Sequence, residues 1–265
     1  CCKIGVIGCC AMSPRSFSLF NGWFAYLSAI SPLGEWPPPD NLLAMPMSVY
    51  LSHGLRSRLA THWADVAWFR ERELIGCRDW GTWEALTRAG IDAFFTGCLT
   101  TTFPRRKGIS GDNPTHPYAV AVDFDSDSLP VKTVGDVKLQ WYNMTHTLSR
   151  DNMLQTPQTR LDRASLHIEH LGQANQVWTT RLHAYLPSRA MGVHVVTDFS
   201  NAADPARFRG LDNISDQTMG AMRERLRSII HAAVPVFTKV LPGDQDSNQL
   251  RRRLYKKWET IAREI

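Results

Sequence analysis

The segment from Val177 to Thr197 constrains the fold more than any other part of the chain, because it reads as a strand, a short helix and a second strand. The order of its apolar and polar residues predicts strands at 177–182 and 193–199 and a helix at 183–191. A helix between two strands favours a parallel pair, with the helix packed on one face of the sheet.

Two polar side chains lie where the first of these strands passes into the helix. Arg181 comes at the end of the strand, and His183 comes at the start of the helix. In open α/β sheets, ligands bind at this carboxyl edge. The helix start adds backbone N–H groups and the positive end of the helix dipole. We therefore expect a phosphorylated or carboxylated substrate at this position.

A second unit of the same kind lies earlier in the chain. The apolar run Leu74–Arg78 predicts a strand, and 91–96 predicts a strand that returns to the same sheet. Asp79 or Thr82 is expected to cap the intervening helix, and Gly90 is expected to end it. Strands and helices that alternate at this pitch predict an α/β fold with parallel sheets and right-handed crossovers.

A longer amphipathic helix is predicted to begin at Pro157, because proline favours the first helical position. Gly172 is expected to end this helix. Its apolar residues recur at helical spacing and should form a buried stripe. The stripe consists of Leu161, Ala164, Ile168 and Leu171.

Proline, glycine and charged residues concentrate between positions 104 and 117 and predict a linker between two α/β lobes. We place the N-terminal lobe at 1–106, the linker at 107–117 and the C-terminal lobe at 118–240. The last segment, 241–265, is predicted to be an amphipathic helix.

This C-terminal helix carries an apolar face, and arginine and lysine occupy the rest of its surface. Such a helix either packs its apolar stripe on the body of the protein or makes a peripheral contact with a membrane or another polyanion. Both interpretations stay open. The apolar face consists of Leu250, Leu254, Trp258 and Ile261.

The composition narrows the class of partner. Thirty basic and 25 acidic side chains give a net charge of +5, which favours anionic partners without naming one. The chain has no zinc-finger spacing and no RNA-recognition motif, so we predict no nucleic-acid partner. No apolar stretch reaches the about 18 residues that a membrane-spanning helix needs.

Six cysteines lack the spacing of a metal site or a disulfide framework, so we predict no metal and read them as reduced thiols of a cytoplasmic protein. Cys77 and Cys98 are interpreted as small apolar strand residues rather than nucleophiles. The cysteines are Cys1, Cys2, Cys9, Cys10, Cys77 and Cys98.

Four separated segments agree in letters, order and spacing with one known family, over about residues 17–210. The segments are Phe20–Phe24 with Trp36–Pro38, Ile75–Asp79 with Thr82, Phe95–Cys98, and Thr180–Ala184 with Leu186–Pro187. Together they resemble the polysaccharide pyruvyl transferase family.

The resemblance implies two Rossmann-like lobes similar to the glycosyltransferase-B architecture, with the first lobe shortened because few residues precede Phe20. The N-terminal lobe would hold the acceptor and the C-terminal lobe the donor. Family members transfer a pyruvyl group from phosphoenolpyruvate to a sugar of a surface polysaccharide and form a ketal. The resemblance implies no cofactor besides the donor substrate. It also implies a cytoplasmic protein, at the inner face of the membrane where the acceptor is a lipid-linked glycan.

In relatives, the arginines that match Arg78 and Arg181 and the histidine that matches His183 are associated with the donor site. Phosphoenolpyruvate carries a phosphate and a carboxylate, and each arginine would bind one of them. His183 would protonate the methylene carbon of the donor. An ion pair with Asp79 stays open for Arg78, and a purely structural role stays open for His183.

These arguments give two groups of predicted site residues. The predicted catalytic residues are His183 and Arg181. The predicted substrate-binding residues are Arg78, Asn21, His53, His146 and Thr180.

Two other functions fit the same residues. A nucleotide-sugar glycosyltransferase would use the same strand-to-helix turn to bind a diphosphate. A non-catalytic binding protein would retain the lobes without the reaction, and the short amino terminus keeps this hypothesis open.

Overall fold

The protein is seen in a computed structural model, which describes most of the chain. The chain divides into two compact units. The middle unit runs over Thr100–Pro205, and the flanking unit combines Lys3–Leu99 with Ala206–Ile265. The described residues are 16–19, 23–24, 42–106, 118–124, 133–134, 137–146, 155–199, 205–238 and 247–264.

The described residues contain both strands and helices. In chain order the strands are β1 (Ser16–Leu19), β2 (Trp23–Phe24), β3 (Leu42–Met45), β4 (Tyr50–Leu51), β5 (Ile75–Cys77), β6 (Ala93–Phe95), β7 (Tyr118–Val122), β8 (Thr133–Val134), β9 (Val137–Lys138), β10 (Gln140–Met144), β11 (Gln176–Thr179) and β12 (His194–Thr197). The α-helices are α1 (His53–Arg58), α2 (Trp63–Arg70), α3 (Trp80–Arg88), α4 (Pro157–Gln173), α5 (Leu182–Met191), α6 (Asp216–Thr238) and α7 (Ser247–Glu264).

The middle unit contains a four-stranded sheet in the order β10-β7-β11-β12, and every ladder in it is parallel. The predicted strand, helix and strand at 177–199 are confirmed as β11, α5 and β12. After α5, Gly192 adopts a φ of +91°, a left-handed conformation that favours glycine and turns the chain back towards the sheet. The hydrophobic core of the middle unit includes Val120, Val122, Leu171, Val177, Ala184 and Met191.

Helix α4 begins as predicted and ends later than predicted. Pro157 is its first residue, and the Thr156 side chain accepts the backbone N–H of Thr159 as a cap. The prediction that Gly172 ends the helix is wrong, because Gly172 lies inside it and is buried. A Cβ at Gly172 would lie within 2.7 Å of Arg106 and Met191 atoms, so close packing explains the glycine. The predicted stripe is buried at its C-terminal end, whereas Leu161 is 52% exposed.

In the flanking unit, the second predicted strand-helix-strand unit is confirmed. Strands β5 and β6 pair in parallel, and α3 connects them. Of the two predicted caps for α3, Asp79 is the one used, since its carboxylate accepts the backbone N–H of Thr82 at 2.9 Å. Gly90 follows the helix with a φ of +69°. The core beneath these elements includes Val49, Leu51, Phe69, Ile75 and Leu86.

The unit boundaries differ from the predicted lobe boundaries. Residues 206–240 were assigned to the C-terminal lobe, but Ala206–Ile265 belongs to the flanking unit. Specific contacts explain the difference. Arg225 of α6 donates to the carbonyl oxygen of Phe95 at 3.2 Å, and Trp258 of α7 donates to that of Leu74 at 2.6 Å.

Helix α7 is amphipathic, as predicted, and its apolar side chains pack into the flanking unit. Trp258 is fully buried, and the Tyr255 hydroxyl donates to the carbonyl oxygen of Ala44 at 2.8 Å. Leu254 and Ala262 are buried beside them. Within the described residues, no helix combines the length and the apolar character needed to cross a bilayer.

Candidate functional site

Polar residues lie together at the carboxyl edge of the sheet in the middle unit because of the strand register. Val122 of β7 lies between Met144 of β10 and Thr179 of β11. The residues that follow these three positions therefore meet at the same edge. From β7 the chain goes to β10 on one side and later to β11 on the other, so the order reverses between β7 and β11. This point of reversal is where open α/β sheets bind ligands.

Asp123 is the centre of the polar cluster at this edge. Its carboxylate accepts the Thr145 hydroxyl at 2.6 Å, the backbone N–H of His146 at 3.1 Å and the Nε–H of Arg181 at 2.7 Å. The φ of Asp123 is +46°, a left-handed conformation that aspartate tolerates better than most residues. This turn allows the carboxylate to accept bonds from residues that follow both neighbouring strands.

These bonds set the charge of Asp123. Burial alone would raise the pKa of its carboxyl, but the hydrogen bonds from Thr145, His146 and Arg181 outweigh that effect, so the pKa lies below its ordinary value. Asp123 is therefore ionised at neutral pH and holds a positive partner in place.

Arg181 is fixed at its backbone and at one nitrogen of its guanidinium. It is the N-cap residue of α5, and its N–H donates to the Thr179 hydroxyl at 2.9 Å. Thr180, next to it, donates its hydroxyl to the carbonyl oxygen of Asp123 at 3.2 Å. The side chain of Arg181 is nevertheless 41% exposed. An oriented and partly exposed guanidinium at a helix start suits the binding of an anion.

Two histidines stack beside this cluster. The rings of His146 and His167, the latter from α4, lie 5.7 Å apart at their centroids and are nearly parallel, at 8°. Burial lowers the pKa of His146 to about 4, and the neighbouring His167 adds to the effect. Burial also lowers the pKa of His167, together with the charge of Arg163. Both imidazoles are therefore neutral at pH 7, and a bound anion would favour their protonation.

His183, the predicted general acid, lies in the first turn of α5 and is half-buried. Two residues separate it from Arg181 along the chain. The N-terminus of α5 directs the positive end of its dipole towards the same edge of the sheet.

In the flanking unit, Arg78 has a very different environment. It follows β5, is only 3% exposed, and its guanidinium lies 4.0 Å from the centroid of the Tyr50 ring. Its Nε is 3.5 Å from the Asp79 carboxylate, so the ion pair that the sequence left open is present. Among the described residues, its Nε and Nη2 have no hydrogen-bond acceptor. Burial lowers the pKa of Arg78, although Asp79 acts in the opposite direction.

The two described cysteines are buried, and Cys77 directly precedes this arginine in the chain. Burial, followed by the charge of Asp79, raises the pKa of the Cys77 thiol well above its usual range. A thiol in this state stays protonated at neutral pH and is a poor nucleophile. Cys98 is also buried, and it forms no disulfide bond within the described residues. The chemistry of the candidate site therefore depends on arginine, aspartate and histidine.

The structure brings together three of the predicted site residues, Arg181, Thr180 and His146, around Asp123. Arg78 lies in the flanking unit, and so does His53, which is the exposed first residue of α1. Asn21 lies outside the described residues.

Sequence reasoning missed Asp123, Thr145 and His167. Asp123 and Thr145 follow two strands that only register brings together, since 22 positions separate them in the chain. An acidic residue directly after a buried strand was the available signal for Asp123. His167 had no such signal, because a histidine in a helix gives no sign of its partner.

No group of three or more histidine, cysteine, aspartate and glutamate side chains lies close enough to hold a metal ion within the part of the chain that the structure describes. A comparison with models of known protein families finds no match for this chain, and a comparison with curated proteins finds none either. The resemblance to pyruvyl transferases therefore depends on the four sequence segments alone.

Proposed function

We propose that this protein transfers a pyruvyl group from phosphoenolpyruvate to a sugar of a surface polysaccharide or glycan and forms a pyruvate ketal. The observation that carries the proposal is the oriented, partly exposed guanidinium of Arg181, which Asp123 holds at 2.7 Å where the strand order of a parallel sheet reverses. The site matches the chemistry of a donor that carries two anionic groups and reacts through proton transfer.

In the proposed reaction, Arg181 binds one anionic group of phosphoenolpyruvate and orients the donor. A histidine adds a proton to the methylene carbon, and positive charge develops at the adjacent carbon. A sugar hydroxyl attacks that carbon and gives up its proton to the neutral imidazole. The phosphate group then leaves with its bonding electrons, a second hydroxyl of the same sugar attacks, and the proton of that hydroxyl passes to the released phosphate. One donor and one diol thus give one ketal and one inorganic phosphate.

His183 is the proposed proton carrier, and His146 is proposed to contact the donor. The low pKa of His146, about 4, keeps this residue neutral in the free protein at pH 7. A bound dianion would raise the pKa of either imidazole, because opposite charges favour the protonated form. The acid would therefore become competent mainly when the donor is bound.

The finer architecture is part of the proposal. We infer two lobes of the glycosyltransferase-B kind, with the donor on the middle unit and the acceptor on the flanking unit. Within the flanking unit, Arg78, His53 and Asn21 remain proposed substrate-binding residues. The reaction needs no metal and no redox cofactor, and it takes place in the cytoplasm, which agrees with the interpretation of the cysteines as reduced thiols.

A thermal unfolding experiment tests the class of donor. Ligands that bind only the folded state raise the melting temperature, and about tenfold more ligand than Kd should raise it by about 2–4 °C for a chain of this size. We expect this shift with phosphoenolpyruvate and not with uridine diphosphate. A shift with the nucleotide alone would favour the second candidate, a nucleotide-sugar glycosyltransferase, which the helix start at α5 also suits.

The reaction itself is tested by mass spectrometry of candidate sugars incubated with protein and phosphoenolpyruvate. Ketal formation adds a pyruvyl group and releases inorganic phosphate in equal amounts. Binding of phosphoenolpyruvate without product for any sugar would point to the non-catalytic alternative.

A further inference from the structure

Much of the net charge of this protein is carried by one helix. Helix α7 contains six basic residues and two acidic ones, a net charge of +4, whereas the whole chain has a net charge of +5. Four of its exposed basic side chains cluster near the middle of the helix, at Arg252, Arg253, Lys256 and Lys257. Near the C-terminal end, Glu259 and Asp92 pair with Arg263 and reduce the local charge.

The position of the apolar stripe limits how this helix can meet a partner. Leu254, Tyr255, Trp258 and Ala262 are buried in the flanking unit, and the Trp258 indole is hydrogen-bonded there. These side chains cannot enter a bilayer without unfolding part of the core. Helix α7 therefore does not behave as an inserting amphipathic helix, whose apolar face lies among the acyl chains.

Among the side chains of α7 that the structure describes, every exposed one is polar. Its exposed described side chains are Gln249, Arg252, Arg253, Lys256, Lys257, Thr260, Arg263 and Glu264. The four clustered cations fall within six residues, which is less than 10 Å along a helix at about 1.5 Å per residue. Flexible arginine and lysine side chains at this density can contact several head groups of one membrane surface at once.

We propose that the basic face of α7, defined by Arg252, Arg253, Lys256 and Lys257, docks the protein on an anionic lipid surface through charge alone. Single-stranded nucleic acids are bound on aromatic platforms as well as by cations, and the exposed described side chains of α7 include no aromatic residue. An anionic lipid surface fits a face whose exposed described side chains include cations but no aromatic ring. This inference is independent of the proposed reaction, although membrane docking would bring a lipid-linked acceptor close to the protein.

Vesicle flotation with the full chain tests the proposal. The vesicles contain phosphatidylcholine with about 30% phosphatidylglycerol, in about 0.1 M salt. We expect the wild type to float with these vesicles and not with pure phosphatidylcholine. Since each basic residue near such a surface contributes to binding, the double variant Lys256→Glu/Lys257→Glu should reduce the bound fraction by more than about tenfold.

A matched control distinguishes the effect of this face from the effect of the total net charge. Arg88→Glu/Lys138→Glu makes the same change in total charge at two exposed positions elsewhere, and it should leave most of the binding intact. Circular dichroism of both variants confirms that each one folds.

Several results would overturn the proposal. The first is an equal loss of vesicle binding in both double variants. The second is binding that persists at about 0.5 M salt, where charge is screened. The third is a wild type that does not float with the anionic vesicles. Binding of the wild type to a short duplex RNA but not to the vesicles would also overturn it and would identify nucleic acid as the partner.

Discussion

Two arginines that end parallel strands have opposite environments in this molecule. Arg78 follows β5 in the flanking unit and is 3% exposed, stacked on Tyr50 and paired with Asp79. Arg181 follows β11 in the middle unit and is 41% exposed, with one nitrogen held by Asp123. Both arginines lie between a parallel strand and the helix that follows it. Burial and strand register, rather than the motif, decide which guanidinium is presented to solvent.

The acids beside the two arginines differ in the same way. Asp79 uses one carboxylate oxygen to cap α3, and burial raises its pKa although Arg78 acts to lower it. Asp123 accepts bonds from residues after two neighbouring strands, and its pKa is lowered. A buried pair of the first kind mainly affects folding, whereas a hydrogen-bonded pair of the second kind can orient a ligand.

The largest expected effect is on stability, at Arg78. The variant Arg78→Ala leaves the Asp79 carboxylate buried without its cation, and breaking a buried ion pair costs about 3–5 kcal/mol. Chemical denaturation of the variant and of Arg88→Ala, an exposed control on α3, measures the difference. A loss at Arg78 no larger than that of the control would remove the contrast between the two arginines.

The next effect is on ligand binding, at Arg181. The variant Arg181→Lys keeps the positive charge but loses the planar fork, so phosphoenolpyruvate should bind about 100-fold more weakly while the melting temperature of the free protein changes little. The ligand-induced thermal shift measures this loss over a range of donor concentrations. A donor affinity equal to that of the wild type would show that Arg181 acts only as a point charge or has no role.

A smaller effect is expected for Asp123, and it depends on pH. Since its pKa is lowered in the folded state, ionised Asp123 stabilises the protein above its unfolded pKa of about 3.9, and this stability is lost as the pH falls through the folded pKa. Asp123→Asn tolerates the left-handed backbone and should cost about 1–2 kcal/mol at pH 7.

Denaturation curves of wild type and Asp123→Asn between pH 7 and pH 3 check this expectation. The difference in unfolding free energy should shrink as the pH falls below about 4. A difference that is constant over this range would mean that the carboxylate charge does not matter.

The smallest effect concerns the histidine pair. Because the pKa of His146 is lowered to about 4, protonation favours the unfolded state, so the wild type loses stability as the pH falls below the unfolded pKa of about 6.5. Between pH 7 and pH 5.5, the unfolding free energy of the wild type should fall by about 1 kcal/mol more than that of His146→Gln. Denaturation at both pH values measures it. His53→Gln, at an exposed position, should keep the wild-type loss, and equal losses in all three proteins would contradict this account.

Local patterns predicted the parts of the fold that neighbouring residues determine. The alternation of apolar runs predicted β5, β6, β11 and β12, the short polar side chain of Asp79 predicted the start of α3, and periodicity predicted the amphipathic α7. In each case the sequence pattern behind the prediction covers neighbouring residues, although long-range contacts then pack the element.

Long-range packing could not be predicted in this way. The assignment of 206–240 to the C-terminal lobe differs from the observed units, and within that segment Arg225 donates to a backbone oxygen 130 positions away. The central role of Asp123 depends on the register of β7 with β10 and β11, which no local pattern specifies. Gly172 was interpreted as a helix end, although it lies inside α4, where the side chains of Arg106 and Met191 pack close to it.

The most direct test of the central claim is isothermal titration of phosphoenolpyruvate into the wild type, Arg181→Ala and the exposed control Arg88→Ala. We expect saturable binding to the wild type and the control, and binding reduced at least about 100-fold in Arg181→Ala. Equal donor affinity in all three proteins would contradict the assignment of the donor site to the Arg181 cluster.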